Sequence, residues 1–203
     1  MSSTEADPVG RPPNNNEKHQ PKPAIRPYPL QYVSPWTLKD GNPVTIRPIR
    51  AEDEPLMVKF HETLSDRSVY LRYFSSLSLS RRVAHERLMR ICFVDYDREM
   101  VLVAEHVDPA TGQRRIIGVG RMNKLDVRNE AEVAALVSDQ YQHLGLGYEL
   151  LRRVVQIARD EKLSQVSAEM LPDNMAMQAV FRRLGFTIRA DEDLTSLRAI
   201  MNL

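Results

Sequence analysis

The sequence has little of what marks several classes of protein. Its 203 residues include one cysteine, Cys92, which excludes an intrachain disulfide and a cysteine-based metal cluster. Its 28 basic and 27 acidic residues give a net charge of +1, which offers no support for nucleic-acid binding. No apolar run approaches the roughly 18 residues of a membrane span, and the N-terminal segment has no signal-peptide core. We therefore expect a cytoplasmic protein without nucleic-acid or membrane partners.

Metal binding is not expected either. The histidines considered as ligands show no metal-ligand spacing: His61, His85, His106 and His143. Cys92 lies in the apolar run 91–94, and no base can be named as its partner. We therefore interpret Cys92 as a buried structural thiol and not as a nucleophile.

The chain divides into a polar leader, an arm and one domain. Residues 1–26 are rich in proline, asparagine, serine and charge, so they cannot bury enough apolar surface to offset their ordering entropy. We expect this leader to be disordered, with a partner-binding arm as the alternative. Residues 27–41, which include Tyr28 and Trp36, are predicted to be an extended arm that packs onto a domain at 42–203.

The periodicity of apolar residues predicts an α/β fold. Alternation predicts a first strand at 44–49, and helical spacing predicts a helix at 51–64. The clearest helix is predicted at 147–161. The whole order is β-α-α-β-β-β-α-β-α-β-β, which indicates a mixed sheet with helices on its faces.

One turn carries a pattern with chemical meaning. Gln142, Gly145 and Gly147 stand between a predicted strand and an amphipathic helix. The first amides of a helix have no partner inside it and attract phosphate, and glycines let a ligand approach the backbone closely. A plain tight turn is the alternative. A dinucleotide fingerprint lacks its first glycine here, and a P-loop lacks its Gly-Lys-Ser/Thr ending.

These residues carry a family resemblance. The run 137–147 resembles the acetyl-CoA loop of the GNAT superfamily of N-acetyltransferases, whose pattern is Arg/Gln-x-x-Gly-x-Gly/Ala. The segment from Asn174 to 183–186 resembles the second signature of that superfamily. A narrower match over about 40–190 is similar to the Pat-type protein lysine acetyltransferase domain. The resemblance implies a mixed, mostly antiparallel central sheet with helices on both faces, and acetyl-CoA as the acyl donor.

The resemblance also implies roles for individual residues. Glu132 is the expected general base, acting directly or through a water, and Glu130 competes because it shares a strand face with Glu132. Asn174 has helix capping as an alternative or additional role. The residues expected to bind the cofactor are Leu136, Val137, Gln142, His143, Leu144, Gly145, Leu146, Gly147, Tyr148 and Asn174. The strand amides are expected to hold the pantetheine arm, and the amides of 143–148 the pyrophosphate.

One position departs from the superfamily pattern. Many members have a tyrosine that protonates the leaving thiolate, and the matching residue here is Phe181. The thiolate then leaves unaided, or Tyr141 or Tyr148 substitutes as the donor. Arg72 is expected to form a structural salt bridge, and contact with the substrate or a CoA phosphate is the alternative.

The expected function is transfer of an acetyl group from acetyl-CoA to a primary amine. A protein lysine is the first choice of acceptor, and the partners are then the protein substrate and an acyl-CoA synthetase. Two alternatives stay open: acetylation of a small-molecule amine, and a non-catalytic module that senses acetyl-CoA.

Overall fold

The computed structural model describes residues 26–125, 128–191 and 194–203. Apart from Arg26, the predicted leader lies outside the described residues. Eight strands form one sheet in these ranges, in the order β1-β2-β3-β4-β5-β6-β8-β7. Their bounds are β1 Ser34–Thr37, β2 Pro43–Pro48, β3 Glu99–Val107, β4 Arg114–Lys124, β5 Glu130–Val137, β6 Gln165–Met170, β7 Thr187–Ala190 and β8 Leu197–Asn202.

Neighbouring strands of this sheet are antiparallel except for β5 and β6, which are parallel. The helices are α1 Glu54–Glu62, α2 Asp66–Tyr73, α3 Leu79–Arg82, α4 His85–Cys92, α5 Leu146–Asp160 and α6 Met175–Leu184. Separate apolar clusters cover the two faces of the sheet. The mostly antiparallel sheet with helices on both faces is therefore confirmed.

The helical region between β2 and β3 is more divided than the sequence pattern indicated. Two helices are predicted there, whereas the described residues form α1 to α4. The missed helix α2 begins after Ser65, whose Oγ accepts a hydrogen bond from the Ser68 amide at 3.2 Å. Val69 is its one buried residue, so the helix lacks the apolar stripe on which a periodicity argument depends. Its start was signalled only by a capping serine.

The two faces of the sheet hold different helices. Leu150 and Val154 of α5 are fully buried in the cluster on one face. Phe60 of α1 and Leu88 of α4 are buried in the cluster on the other face. Cys92 is also buried there, and burial raises the pKa of its thiol to about 12. The interpretation of Cys92 as a buried, unreactive thiol therefore agrees with the structure.

Helix α5 approaches the sheet closely enough to fix its own N-terminus. A Cβ added at Gly118 of β4 would lie 2.9 Å from Leu146 Cδ2 and 3.0 Å from Leu150 Cδ1. Real Cβ atoms do not approach so closely, so a side chain at this position would force the ends of Leu146 and Leu150 to shift. The N-terminus of α5 therefore packs closely on β4.

The arm contacts both the sheet and helix α5. Within it, β1 pairs with β2, and Arg153 of α5 donates a hydrogen bond to Ser34 Oγ. The amide of Lys39 donates to the carbonyl of Leu144 at 3.2 Å, which ties the arm to the turn before α5. The domain bounds at 27–41 and 42–203 stay a prediction. Among the described residues, none of the helices has the length and apolar character needed to cross a bilayer.

Candidate active site

Strands β5 and β6 separate in the middle of the sheet. Their pairing covers three residue pairs, from Glu130 with Gln165 to Glu132 with Ser167. Beyond these pairs lies a cavity of about 510 Å³, which we call the main cavity. Its walls are 133–137 of β5, parts of α2 and α6, and the turn before α5. A cavity of this size and position can hold an extended ligand between two parted strands.

Along the part of β5 that is not paired with β6, some backbone amides have no hydrogen-bond acceptor on a neighbouring strand. The Ser138 amide donates to the Ile117 carbonyl at 3.0 Å, so this residue faces β4. Because backbone groups alternate along a strand, Leu136 also faces β4, whereas Val137 and Ala135 face the gap. Leu136 lines the main cavity, but its amide faces β4, so its contact with the cofactor stays a prediction.

The turn before α5 presents a run of free amides. His143 has a φ of 62° and Gly145 a φ of 87°, so the chain bends through left-handed conformations there. Among the described residues, the amides of 143–148 have no hydrogen-bond acceptor, and the first helical bond runs from Glu149 N to the Gly145 carbonyl. Free amides at the positive end of a 15-residue helix form an anion site.

Most of the predicted cofactor residues meet at the main cavity. Its lining includes Leu136, Val137, Gln142, His143, Gly145, Gly147, Tyr148 and Asn174. Leu144 and Leu146 do not line it; Leu146 is buried against β4 and α5. These two leucines can contribute backbone amides alone. Asn174 caps α6, because its Oδ1 accepts from the Met177 amide at 3.2 Å.

Gln142 joins the turn to two other elements. Its Nε2 donates to the Val137 carbonyl at 3.2 Å and to Ser68 Oγ at 3.0 Å. Asp139 accepts from Ser65 N at 2.9 Å, Ser65 Oγ at 2.6 Å and Ser68 Oγ at 2.9 Å. Burial opposes ionisation of Asp139, but these hydrogen bonds outweigh it and lower the pKa of the carboxyl. The start of α2 is thus fixed to the turn.

Asp139→Asn should loosen this connection. We expect the unfolding free energy at pH 7 to fall by roughly 1 kcal/mol, because an amide cannot accept all three hydrogen bonds. The loss is small because the site is exposed to solvent. The folded-state pKa of Asp139 is lowered, so its stabilisation is present above the ordinary pKa and disappears as pH falls through the folded value. Urea unfolding from pH 7 to pH 3 should show the two proteins converging at acid pH. A constant difference over this range would contradict the assignment.

Cationic side chains that the sequence did not single out also line the main cavity. Lys39 from the arm lies beside Gly145, and Arg183 of α6 stacks over the ring of Tyr148 at 4.5 Å. Both add positive charge near the free amides of the turn. Lys39 lies about a hundred residues before the turn, so no local sequence pattern predicts the contact between Lys39 and the turn.

Phe181 and the two tyrosines considered as proton donors lie in different places relative to the main cavity. Phe181 is buried, lines the main cavity and packs on Phe186 with ring centroids 4.9 Å apart. Tyr148 lines the main cavity as well. Tyr141 does not; its ring lies 6.0 Å from that of His106 on the other side of the turn. Of the two tyrosines, Tyr148 alone lines the main cavity.

Glu132 lies at the point where the strands part. It belongs to the last pair that joins β5 to β6, and its side chain is exposed. Strand alternation places Glu132 on the same face as Ala134 and Leu136. Four residues of strand put its Cα about 13 Å from that of Leu136, with only the small Ala134 between them. Glu132 therefore borders the main cavity without lining it, and a water or substrate group must connect the two.

A second, smaller cavity lies on the face of the sheet covered by α1 and α4. We call it the inner cavity; its volume is about 50 Å³. Its polar lining residues are His61, Arg72, Tyr73, Arg87 and Arg121. It shares Arg72 and 134–136 with the main cavity, so the two meet along β5. Arg72 forms no salt bridge with a described residue, so the structural salt bridge expected for it is not found there.

His61→Phe should make the free energy of unfolding depend less on pH below about 6.5. Burial, followed by the charges of Arg82 and Arg87, lowers the pKa of His61 to about 4. Below an ordinary pKa near 6.5 the unfolded chain binds a proton that the folded chain refuses, so stability falls as pH drops from 6.5 to 4. The contribution is up to about 3 kcal/mol. Denaturant unfolding of both proteins across this window measures it, and parallel profiles would refute it.

A parted sheet with free amides at a helix N-terminus beside it can hold a ligand that joins a diphosphate to an extended arm, as a coenzyme A thioester does. A family model described as "Acetyltransferase (GNAT) domain" matches residues 44–187. Acetyltransferase PA5475 of Pseudomonas aeruginosa is 31% identical over 158 residues, which is 77% of this chain and 82% of that protein. The chain therefore belongs to the GNAT family of N-acetyltransferases, and acetyl-CoA is its acyl donor.

Two further similarities concern proteins named Pat. The crystal structure of the GNAT domain of S. lividans PAT matches with a TM-score of 0.75 and 28% identity, over 87% of this chain and 99% of that one. Acetyltransferase Pat of Mycolicibacterium smegmatis is 27% identical over 170 residues. That match covers 84% of this chain and 47% of the relative, so this chain spans about half the length of Pat. The resemblance to the Pat-type domain is confirmed.

Proposed function

We propose that the protein acetylates lysine side chains of other proteins, with Glu132 as the general base. The observation that carries this proposal is the position of Glu132, exposed at the point where the strands part and four residues from Leu136. A long amine side chain can enter between them and meet the thioester near 136–137. The similarity to Pat supports the same choice.

The surface around this entrance suits a protein acceptor. Helix α2 lines the main cavity with Ser68, Leu71 and Arg72. The same helix and the residue after it expose the aromatic rings of Tyr70 and Phe74, at 44% and 38%. Exposed aromatic side chains beside a cavity are typical of contact surfaces for proteins.

The chain's residues divide the reaction between them. The amides of 143–148 hold the pyrophosphate, with Lys39 and Arg183 adding positive charge. The amides of Val137 and Ala135 hold the pantetheine arm and polarise the thioester carbonyl. These contacts orient the thioester carbonyl carbon toward the face of β5 on which Glu132 lies.

The proton transfers follow from the acceptor's chemistry. A lysine amine has an ordinary pKa of about 10.4, so it must lose a proton before it attacks. Glu132 takes this proton through a water, and the free amine attacks the carbonyl carbon to form the new C–N bond. As the C–S bond breaks, the nitrogen loses its second proton to water or to the departing sulfur. Phe181 offers no proton at the superfamily's tyrosine position, and a thiol pKa near 8.5 lets the thiolate leave unaided. Tyr148 is the remaining candidate donor at the main cavity.

Acceptor class can be tested by comparing substrates. The full chain is incubated with labelled acetyl-CoA and an acyl-CoA synthetase, a lysine peptide, free lysine or a polyamine. Transfer to protein and peptide lysines at the higher kcat/KM supports the proposal. Faster transfer to the small amines would assign a small-molecule enzyme. Tight CoA binding without transfer to any acceptor would assign a sensing module. The cytoplasmic location stays a prediction that fractionation of cells can check.

A further inference from the structure

The inner cavity has polar walls that the acetyl transfer does not use. Buried side-chain polar atoms without a hydrogen-bond partner are few in the described part of the chain. Three of them are Nδ1 and Nε2 of His61 and Nε of Arg87, and both residues line this cavity. His61 is only 1% exposed. Leaving a buried donor unpaired destabilises the folded state, so a binding partner is expected for such a group.

The positive charge around the inner cavity is not balanced by carboxylates. Arg121 is paired with Glu99 at 2.6 Å. Among the residues that the structure describes, no carboxylate oxygen lies within 4.0 Å of Arg72 or Arg87. Both guanidinium groups instead stack on the ring of Tyr73, at 5.3 and 5.1 Å. The charge of Glu132 favours the cationic form of Arg72 from a greater distance.

Arg82 adds a further positive charge near His61. Arg82 is buried and donates to the carbonyls of His61 at 2.8 Å and Leu77 at 3.1 Å. Neither acceptor carries a full charge. The neutral imidazole of His61 therefore lies near Arg72, Arg82 and Arg87, whose contacts within the described ranges are with backbone carbonyls and the Tyr73 ring and not with carboxylates. An anion is the group that such a site accepts.

The size and position of the inner cavity narrow the choice of anion. Its volume of about 50 Å³ exceeds the roughly 10–15 Å³ that one water needs on the same measure. A carboxylate with one or two carbons fits this space, whereas a nucleotide does not. Arg72 and 134–136 separate it from the main cavity, so a bound carboxylate would lie beside the reacting thioester.

We propose that the inner cavity binds a carboxylate group of a reactant, held by Arg72, Arg87 and the ring N–H of His61. This inference rests on the proposed acyl transfer. The carboxylate has two sources: an acidic residue beside the acceptor lysine, or the free end of a dicarboxylic acyl chain such as succinyl. The planar guanidinium forks match carboxylate geometry, and neutral His61 supplies one further donor.

The variants for the test are Arg87→Met, His61→Phe and the control Arg90→Met. Methionine keeps the apolar stem that packs near Tyr73 and removes the charge. Arg90 lies on the same helix, three residues further, and is exposed and outside both cavities. It therefore controls for loss of charge from α4. Thermal unfolding of each variant identifies any that fails to fold.

The kinetic arm compares matched reactants. One pair is a lysine peptide with a neighbouring Glu or Gln, acetylated from acetyl-CoA. The other is succinyl-CoA or butyryl-CoA with the Gln peptide. We expect at least a tenfold kcat/KM preference for the carboxylate in one pair, which identifies the source. The preference should fall to about twofold or less in Arg87→Met, weaken in His61→Phe and persist in Arg90→Met. No preference in either pair, or one that survives Arg87→Met, overturns the proposal.

A binding arm separates this proposal from the acetyl-transfer proposal. If no acyl group is transferred to any acceptor, the proposed function fails and succinate binding decides the role of the inner cavity. Calorimetry with succinate at constant ionic strength should then detect binding to wild type and Arg90→Met, weakened at least tenfold in Arg87→Met. Absence of binding, or equal binding by all variants, overturns the carboxylate site.

Discussion

Gly147→Asp should lower the affinity for acetyl-CoA at least a hundredfold while the fold stays intact. A Cβ at Gly147 meets only Val137 Cγ2, at 3.7 Å, so the protein itself tolerates a side chain there. The carboxylate would enter the main cavity beside the free amides of 143–148 and repel the pyrophosphate. A hundredfold loss corresponds to about 2.7 kcal/mol. Aspartate in a first helical turn is favourable, so thermal stability should not fall.

The neutral variant Gly147→Asn separates charge from size. It has the same shape as aspartate and should weaken binding by a smaller factor, because bulk alone opposes the ligand. Calorimetric titration with acetyl-CoA and a melting curve for each variant provide both measurements. Equal affinities for wild type and Gly147→Asp would remove the turn from the cofactor site. Equal losses in the two variants would show that the effect is steric and not electrostatic.

The turn and its helix were predictable because their signals are local. Gly145 takes a positive φ and Gly147 borders the ligand space, and both appear in the sequence as glycines before an amphipathic stripe. Helix α5 was predicted at 147–161 and is observed at Leu146–Asp160, because its buried residues recur at helical spacing. Features encoded within one turn or one helix can be inferred from their own residues.

The features that were missed depend on contacts between distant segments. Helix α2 buries Val69 alone, so its side chains give no periodic signal, yet it supplies Ser68 and Arg72 to the cavities. Lys39 reaches Gly145 only because β1 pairs with β2 and the Lys39 amide bonds to Leu144. The direction of the Leu136 amide depends on its register with Val119. These positions are fixed by pairing and packing, which composition and spacing do not specify.

Arg72 links the two chemical regions of the molecule. It lines both cavities, and the charge of Glu132 acts on it across the face of β5. Burial lowers the pKa of Arg72, and the neighbouring cations Arg121 and Arg87 act in the same direction. A carboxylate in the inner cavity would oppose both effects. Arg72 is therefore the side chain through which a carboxylate in the inner cavity would act on the main cavity.

Glu132→Gln should reduce kcat about a hundredfold to a thousandfold and leave acetyl-CoA affinity within about twofold. A positioned general base contributes typically 10²–10⁴-fold, and glutamine keeps the size of the side chain without its basicity. Because Glu132 lies outside the main cavity, the cofactor grip should not change. The deficit should narrow as pH rises toward the lysine pKa near 10.4, since the free amine then needs no base.

Glu130→Gln is the matched control for this prediction. Glu130 lies two residues earlier on the same strand face and forms a long ion pair with Arg128 at 3.9 Å. An ion pair of this kind is worth little, so kcat should stay within about threefold of wild type. A larger loss in Glu130→Gln than in Glu132→Gln would move the base to Glu130. Equal activity of all three proteins over the whole pH range would exclude a carboxylate base on β5, because the amine would then lose its proton to water alone.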